Sequence, residues 1–417
     1  MNHRKTEILD QVALGIYISV PFCKTKCSYC NFASGVFSKQ VFKKYVDRAV
    51  EDLEQSAEIA ISQGGVFERS MDSIYLGGGT PTLLEPEQLQ RLFKAVRDNF
   101  EVGAGAEVTV ECAPGTLSSE VIETLLRCGV NRVSLGVQSF IDNEASSVAR
   151  LHTRVVTLEE IARLRAAGIE NISIDLIAGL PHQTRESWED SLSQLFDTGV
   201  PYASVYMLEV DEDSRLGREL IAGGTKYHAH FVPDEDLTAE LYERACQRLN
   251  GAGVSQYEIS NFARPGLESK HNLKYWTRQP YVGFGVDAHS MLPCEPGGDF
   301  ESVRFSTSDN LEEYVASTGP FPREGKGPGT RTLVNRNQSI EEAFFLGLRL
   351  VKGVDLEEAA QRYGTAATLA FRDEFAELAS AGLVEVEGGW IRLTDRGRLL
   401  SNEVFARLIS SSPATKA

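Results

Sequence analysis

The chain has 417 residues, 42% of them apolar, with a formal net charge of −17 and a pI near 5. That length exceeds one ordinary domain and suffices for a sizeable core. The charge argues against general nucleic-acid or anionic-membrane binding, because both need a local excess of Lys and Arg. Cysteine is odd in number, and Cys112, Cys128, Cys246 and Cys294 are scattered, which fits a reducing compartment. No run of about 20 apolar residues could span a bilayer, and the first residues lack the apolar stretch of a signal peptide. A cytoplasmic protein is expected, without a membrane span and with peripheral membrane association left open.

Residues 1–14 form a lead-in, a strand is predicted over 16–21, and a cysteine loop follows to about residue 36. Val41, Tyr45, Val46, Ala49, Leu53 and Ala57 recur at helical spacing and predict one long helix over 38–62. A regular alternation then begins. Strands are predicted over 73–76, 107–111, 132–137, 171–177 and 202–207, and helices over 86–99, 117–128, 158–167, 187–197 and 236–250. The strands are short and apolar on consecutive positions, as in strands buried on both faces. Some six βα units fit an incomplete TIM-like barrel, whose chemistry sits at the C-terminal ends of its strands. Beyond residue 250 a strand over 256–262, the stretch His-Asn-Leu-Lys-Tyr-Trp at 271–276 and a Gly- and aromatic-rich segment over 281–290 break the pattern. A Gly/Pro-rich linker is predicted over 319–329. Helices over 340–350, 356–363 and 366–381, a hairpin around Gly388-Gly389 and a helix over 395–408 then suggest a winged-helix-like module. Its 7 basic against 11 acidic residues over 341–400 make DNA binding a poor reading. The expected organisation is therefore α/β: a partial (β/α)6 barrel over 1–250, an extension and linker over 251–330, and a winged-helix-like domain over 331–417.

Cys23, Cys27 and Cys30 stand at C-x3-C-x2-C spacing directly after the first strand. A [4Fe–4S] cluster wants four thiolates, so three leave one iron without a protein ligand, as in a catalytic metal centre. An amino acid end such as that of S-adenosyl-L-methionine could chelate that iron. The competing reading is zinc or buried thiols, but structural zinc needs a fourth Cys or His close by. At other strand ends lie Gly77-Gly78-Gly79-Thr80-Pro81-Thr82, Glu111, Gln138 with Ser139, and Asp175, while Arg150 sits in a following loop. Glycines let backbone approach a ligand closely, and carboxylates and an amide at a barrel mouth suit ribose, adenine and ammonium groups. Tyr17 and Tyr29 flank the cysteines. His271 beside Tyr275 and Trp276, near His289, is a candidate heme ligand or a satisfied structural histidine, and His152, His228 and His230 have no better claim.

Together these motifs, with Val-Glu-Cys-Ala-Pro-Gly-Thr, Gly-Val-Gln-Ser-Phe, Asp-Leu-Ile-Ala-Gly-Leu-Pro and Phe-Phe-Leu-Gly-Leu-Arg-Leu in one order, resemble the oxygen-independent coproporphyrinogen-oxidase-like branch of the radical S-adenosylmethionine (radical SAM) superfamily. The likeness covers about 15–410 and is greatest to heme chaperones of the HemW type. It implies a [4Fe–4S] cluster held by Cys23, Cys27 and Cys30, and S-adenosylmethionine contacted by Tyr17, Gly78, Gly79, Thr80, Glu111, Gln138, Arg150 and Asp175, with Tyr29 beside the cluster. It further implies heme, with His271 as the candidate ligand, and heme-accepting partners such as respiratory enzymes. The alternative is a radical enzyme acting on a porphyrinogen, as coproporphyrinogen III oxidase does; that enzyme carries a fourth cysteine where this chain has Phe32. Two further departures are Ser19, where the family usually has His, and Asp287, which intrudes on a Gly-Pro-Gly-Ala-His-Ser-like stretch.

Overall fold

The computed structural model describes residues 12–317 and 329–409. Most of the lead-in and residues 319–328 of the expected linker lie outside the described residues. The six predicted strands are all present: β1 (Leu14–Val20), β2 (Ser70–Gly78), β3 (Glu101–Cys112), β4 (Arg132–Gln138), β5 (Asn171–Ala178) and β6 (Tyr202–Met207). They pair in parallel in chain order. Their cores are Val, Ile and Leu, buried on the outer face under crossover helices.

The segment after residue 250 extends this sheet. The strand expected over 256–262 is a split pair, β7 (Ser255–Gln256) and β8 (Asn261–Ala263), with β8 antiparallel to β6 and β7 antiparallel to β8. The aromatic segment becomes β9 (Tyr281–Gly285), a seventh parallel strand on the free edge of β1. Strands β10 (His289–Pro293), β11 (Phe300–Ser306) and β12 (Arg331–Asn335) continue antiparallel beyond it. The order is β12-β11-β10-β9-β1-β2-β3-β4-β5-β6-β8-β7, an open sheet rather than a closed barrel.

Helix boundaries shift by a few residues, and caps explain several of them. Ser118 accepts from Val121 N and Thr184 from Ser187 N, starting the helices Ser119–Arg127 and Arg185–Thr198. The long helix expected over 38–62 is broken at Gln55 into Lys39–Glu54 and Ser56–Ser62. The short helices Asp142–Ser147 and Arg215–Ala222 were not legible in the apolar periodicity. The C-terminal module has a second core of its own, built from Ile340, Phe344, Leu378, Ile391 and Val404 with Ile259 contributed from the barrel side. Its hairpin is β14 (Val384–Glu387) and β15 (Trp390–Leu393), widened by β13 (Val354–Asp355).

Candidate active site at the mouth of the partial barrel

The cysteine loop is pinned at its base. Cys23 N donates to Gly35 O (2.8 Å) and Gly35 N to Pro21 O (2.9 Å), while Phe22 is fully buried and stacks on Phe42. Gly79 N and Thr80 N reach across from the end of β2 to Val20 O and Phe22 O (2.8 and 2.7 Å). The glycine run is required here. A Cβ on Gly79 would come within 2.6 Å of Phe22 O, and one on Gly77 within 2.9 Å of the Glu111 carboxylate. The far side of the loop leans on the strand-four and strand-five ends: Ser28 N donates to Val148 O, and Tyr29 packs on Val148, Ile177 and Leu180.

Cys27 is buried and Cys23 and Cys30 are partly exposed, and all three are free thiols. Burial pushes Cys23 and Cys30 above the ordinary thiol range, and the neighbouring cysteines add to the rise. The Arg150 guanidinium donates Nη1 to Cys27 Sγ at 3.5 Å and Nη2 to Gly136 O. Thr80 and Ser34 stand against Cys23. Among the described residues no three His, Cys, Asp or Glu side chains converge on a single metal ion. A cubane cluster is wider than one ion and takes each thiolate at a different iron, so a splayed trio of soft donors beside a fixed cation suits it. Arg150 Nε and Ser28 Oγ are buried without a hydrogen-bond partner beside this loop, capacity that a bound anionic group would use.

Below the loop, the partly accessible positions on otherwise buried strands mark the inner face: Tyr17, Tyr75, Glu111, Gly136 and Asp175, with Tyr206 exposed. Glu111 accepts from Tyr75 OH (2.8 Å) and Gly78 N (3.2 Å), and Asp175 from Ser134 Oγ (3.1 Å). Enclosure by the barrel raises Glu111 to about 7, and Asp175 adds to the rise while the two hydrogen bonds oppose it. Burial likewise raises Asp175. Two enclosed carboxyls facing one space are suited to a cationic ligand. Gln138 ends β4 at a bulge with φ +69°, a costly conformation for a side chain that appears where geometry is dictated by function. The structure thus gathers the three cysteines, Tyr29, Gly78, Gly79, Thr80 and Arg150 at the mouth, with Tyr17, Glu111, Gln138 and Asp175 around the interior. The alternation along β2, β4 and β6 was the signal for Tyr75, Ser134 and Tyr206, which sequence reasoning passed over.

His271 lies deeper, beneath this interior, its ring 5.4 Å from that of Tyr75 and 6.2 Å from that of Tyr17. It is 1% exposed, with Nδ1 at 3.1 Å from Ser73 Oγ and Nε2 at 2.9 Å from Tyr275 OH. Its helix, Lys270–Trp276, packs under the N-terminal ends of β1 and β2, where a Cβ on Gly15 would strike Lys274. Burial lowers His271 to about 3. Both ring nitrogens are engaged at the end of the barrel opposite the cysteines, so in this conformation none is free for heme iron. His152 is similarly committed, to Val137 O. The departure at 287 has a local explanation: Asp287 has φ +54°, the left-handed conformation natural to the glycine of the family pattern and tolerated by Asp.

Residues 17–195 match the radical SAM superfamily model and residues 334–400 the HemN C-terminal domain model. The heme chaperone HemW of Bacillus subtilis is 34% identical over 94% of this chain and 98% of its own. The chain belongs to the HemW family. The Lactococcus lactis HemW is 32% identical over 94% and 96% of the two chains, and the mouse radical S-adenosyl methionine domain-containing protein 1, mitochondrial, is 30% identical over 94% and 87%. The fold is that of coproporphyrinogen III oxidase (HemN) from Escherichia coli, described as a radical SAM enzyme, with a TM-score of 0.78 and 24% identity over 96% of this chain and 90% of that one. Membership in the radical SAM superfamily implies a [4Fe–4S] cluster and S-adenosylmethionine. No helix among the described residues is long and apolar enough to cross a membrane.

Proposed function

We propose that this protein is a heme chaperone that binds heme and passes it to acceptor proteins such as respiratory enzymes, working in the cytoplasm with a [4Fe–4S] cluster and S-adenosylmethionine. The observation that carries the reading is the end-to-end likeness to proteins named as heme chaperones. In this reading Cys23, Cys27 and Cys30 hold the cluster and leave one iron open. When bound, the cluster supplies the electron that can cleave S-adenosylmethionine. Arg150 steadies the negative charge gathered at Cys27, and the Gly77–Gly79 backbone offers a cradle for the methionyl ammonium. Glu111 and Asp175 hold the cationic ligand in the barrel, with Tyr17 and Gln138 completing the contacts and Tyr29 shielding the loop from water. The competing reading, decarboxylation of coproporphyrinogen, lacks the fourth cysteine: Phe32 takes that position and is 63% exposed.

The test is anaerobic reconstitution with iron, sulfide, S-adenosylmethionine and dithionite, followed by separate addition of hemin and of coproporphyrinogen III. Stoichiometric heme binding, transfer to a heme-free acceptor and no porphyrinogen turnover are expected. Rapid decarboxylation, or no heme binding, overturns the proposal. Alanine at the three cysteines should abolish the cluster absorbance.

A further inference from the structure

The segment following β6 carries chemistry that the site described above does not use. Over residues 214–232, Arg215, Arg218 and Lys226 accompany a single acid, Glu219, between acidic flanks at Asp211-Glu212-Asp213 and Asp234-Glu235-Asp236. The same segment exposes Leu220, Ile221 and Phe231, at 52%, 68% and 47%. It also holds His228 and His230, and it meets a third imidazole, His182, from the loop after β5.

These imidazoles are arranged rather than scattered. His182 Nε2 lies 3.1 Å from His228 Nδ1, and the Phe231 ring is 4.1 Å from both His182 and His230. His182 and His228 both adopt left-handed backbone, at φ +69° and +61°. Non-glycine residues hold that conformation only when their surroundings impose it. The constraints are visible. Glu219 accepts from Tyr227 N (2.7 Å) and Ala229 N (3.2 Å) on either side of His228, and His182 N donates to Phe231 O. With Nδ1 directed at His182 Nε2, His228 keeps its second nitrogen, Nε2, for another partner, and no hydrogen bond among the described residues uses it. An imidazole oriented through its second nitrogen is the usual state of a metal-ligating histidine.

We infer that His228 is the axial ligand to heme iron, with His182 as the residue that positions it. Heme iron needs one protein imidazole, because the porphyrin supplies the equatorial nitrogens. Phe231, Leu220 and Ile221 match the apolar face of the macrocycle, and Arg215, Arg218 and Lys226 match its two propionates. This assignment rests on the heme-binding reading above and adds the site. The segment also touches the cysteine loop, through Leu216 N to Ser28 O (2.8 Å), and just before it Asn31 Nδ2 donates to Asp211 Oδ2 (2.8 Å), so heme would dock on the same rim as the cluster.

The experiment titrates hemin into the cluster-reconstituted protein and into His228→Gly, His182→Ala and His271→Ala, following the Soret band. Glycine relieves the strain at φ +61°, so His228→Gly should keep the fold and the cluster absorbance, which far-ultraviolet circular dichroism checks. His182→Ala should weaken hemin binding by roughly 10-fold, and His228→Gly by at least as much, with a shifted Soret band that added imidazole restores. His271→Ala should leave the Soret position unchanged. If wild type binds hemin and His228→Gly binds it equally, with the same spectrum, the assignment fails and the chaperone reading stands. If wild type binds no hemin, both fail.

Discussion

At the scale of single residues, Glu111 gives the barrel a definite pH response. Its folded value of about 7 lies above the ordinary 4.5, so between those limits the folded protein holds a proton that the unfolded chain has released. Its effect on stability therefore falls as pH rises from about 4.5 through 7. Glu111→Gln should raise the melting temperature at pH 8 and leave it nearly unchanged at pH 5; parallel curves at both values would contradict this. The same variant should lose the proton release expected when cationic S-adenosylmethionine binds near pH 7, measurable by calorimetry in buffers of different ionisation enthalpy. Asp287→Gly should stabilise by about 1 kcal/mol, because the left-handed backbone no longer carries a Cβ; chemical denaturation reads this directly.

At the scale of elements, the helix Lys270–Trp276 is a structural keystone rather than a ligand platform. Glu107 accepts from Ser269 Oγ, Lys270 N and His271 N, and Lys274 Nζ donates to Ala13 O. Truncating His271 empties a buried site and strands the Ser73 and Tyr275 hydroxyls, at a cost of about 2–3 kcal/mol. His271→Ala should therefore lower the urea midpoint; an unchanged midpoint would remove the keystone role. The six parallel strands were legible because buried strands write themselves as β-branched apolar runs between helical periods. The cysteine spacing was legible for the same local reason. β9 was not, since Gly283 and Gly285 interrupt its apolar run, and its place beside β1 is a long-range pairing that no local pattern encodes. The rim histidines escaped because His182 and His228 lie 46 residues apart and meet only after β5 and β6 pair.

At the scale of the whole molecule, Arg278 joins the barrel extension to the C-terminal module. Its guanidinium donates to Glu342 (2.9 Å), Tyr363 OH (3.1 Å), Ser339 and Ser302, and Glu342 also pairs with Arg304. Nearby, the Arg349 guanidinium lies 4.3 Å over the Trp276 ring. Removing one partner of a buried, hydrogen-bonded ion pair costs about 3–5 kcal/mol. Arg278→Met should accordingly split unfolding into two steps, with the C-terminal module melting first; a single unshifted transition would show that the modules are held together by other means. The keystone helix has one more consequence. It packs beneath β1 and β2, so a ligand meets these strands at their other end, beside the cysteine loop and the rim histidines. Anything parked on that threshold delays whatever must pass beneath it, so loading should be ordered: protein pre-incubated with hemin should take up S-adenosylmethionine more slowly than protein given the two in the reverse sequence.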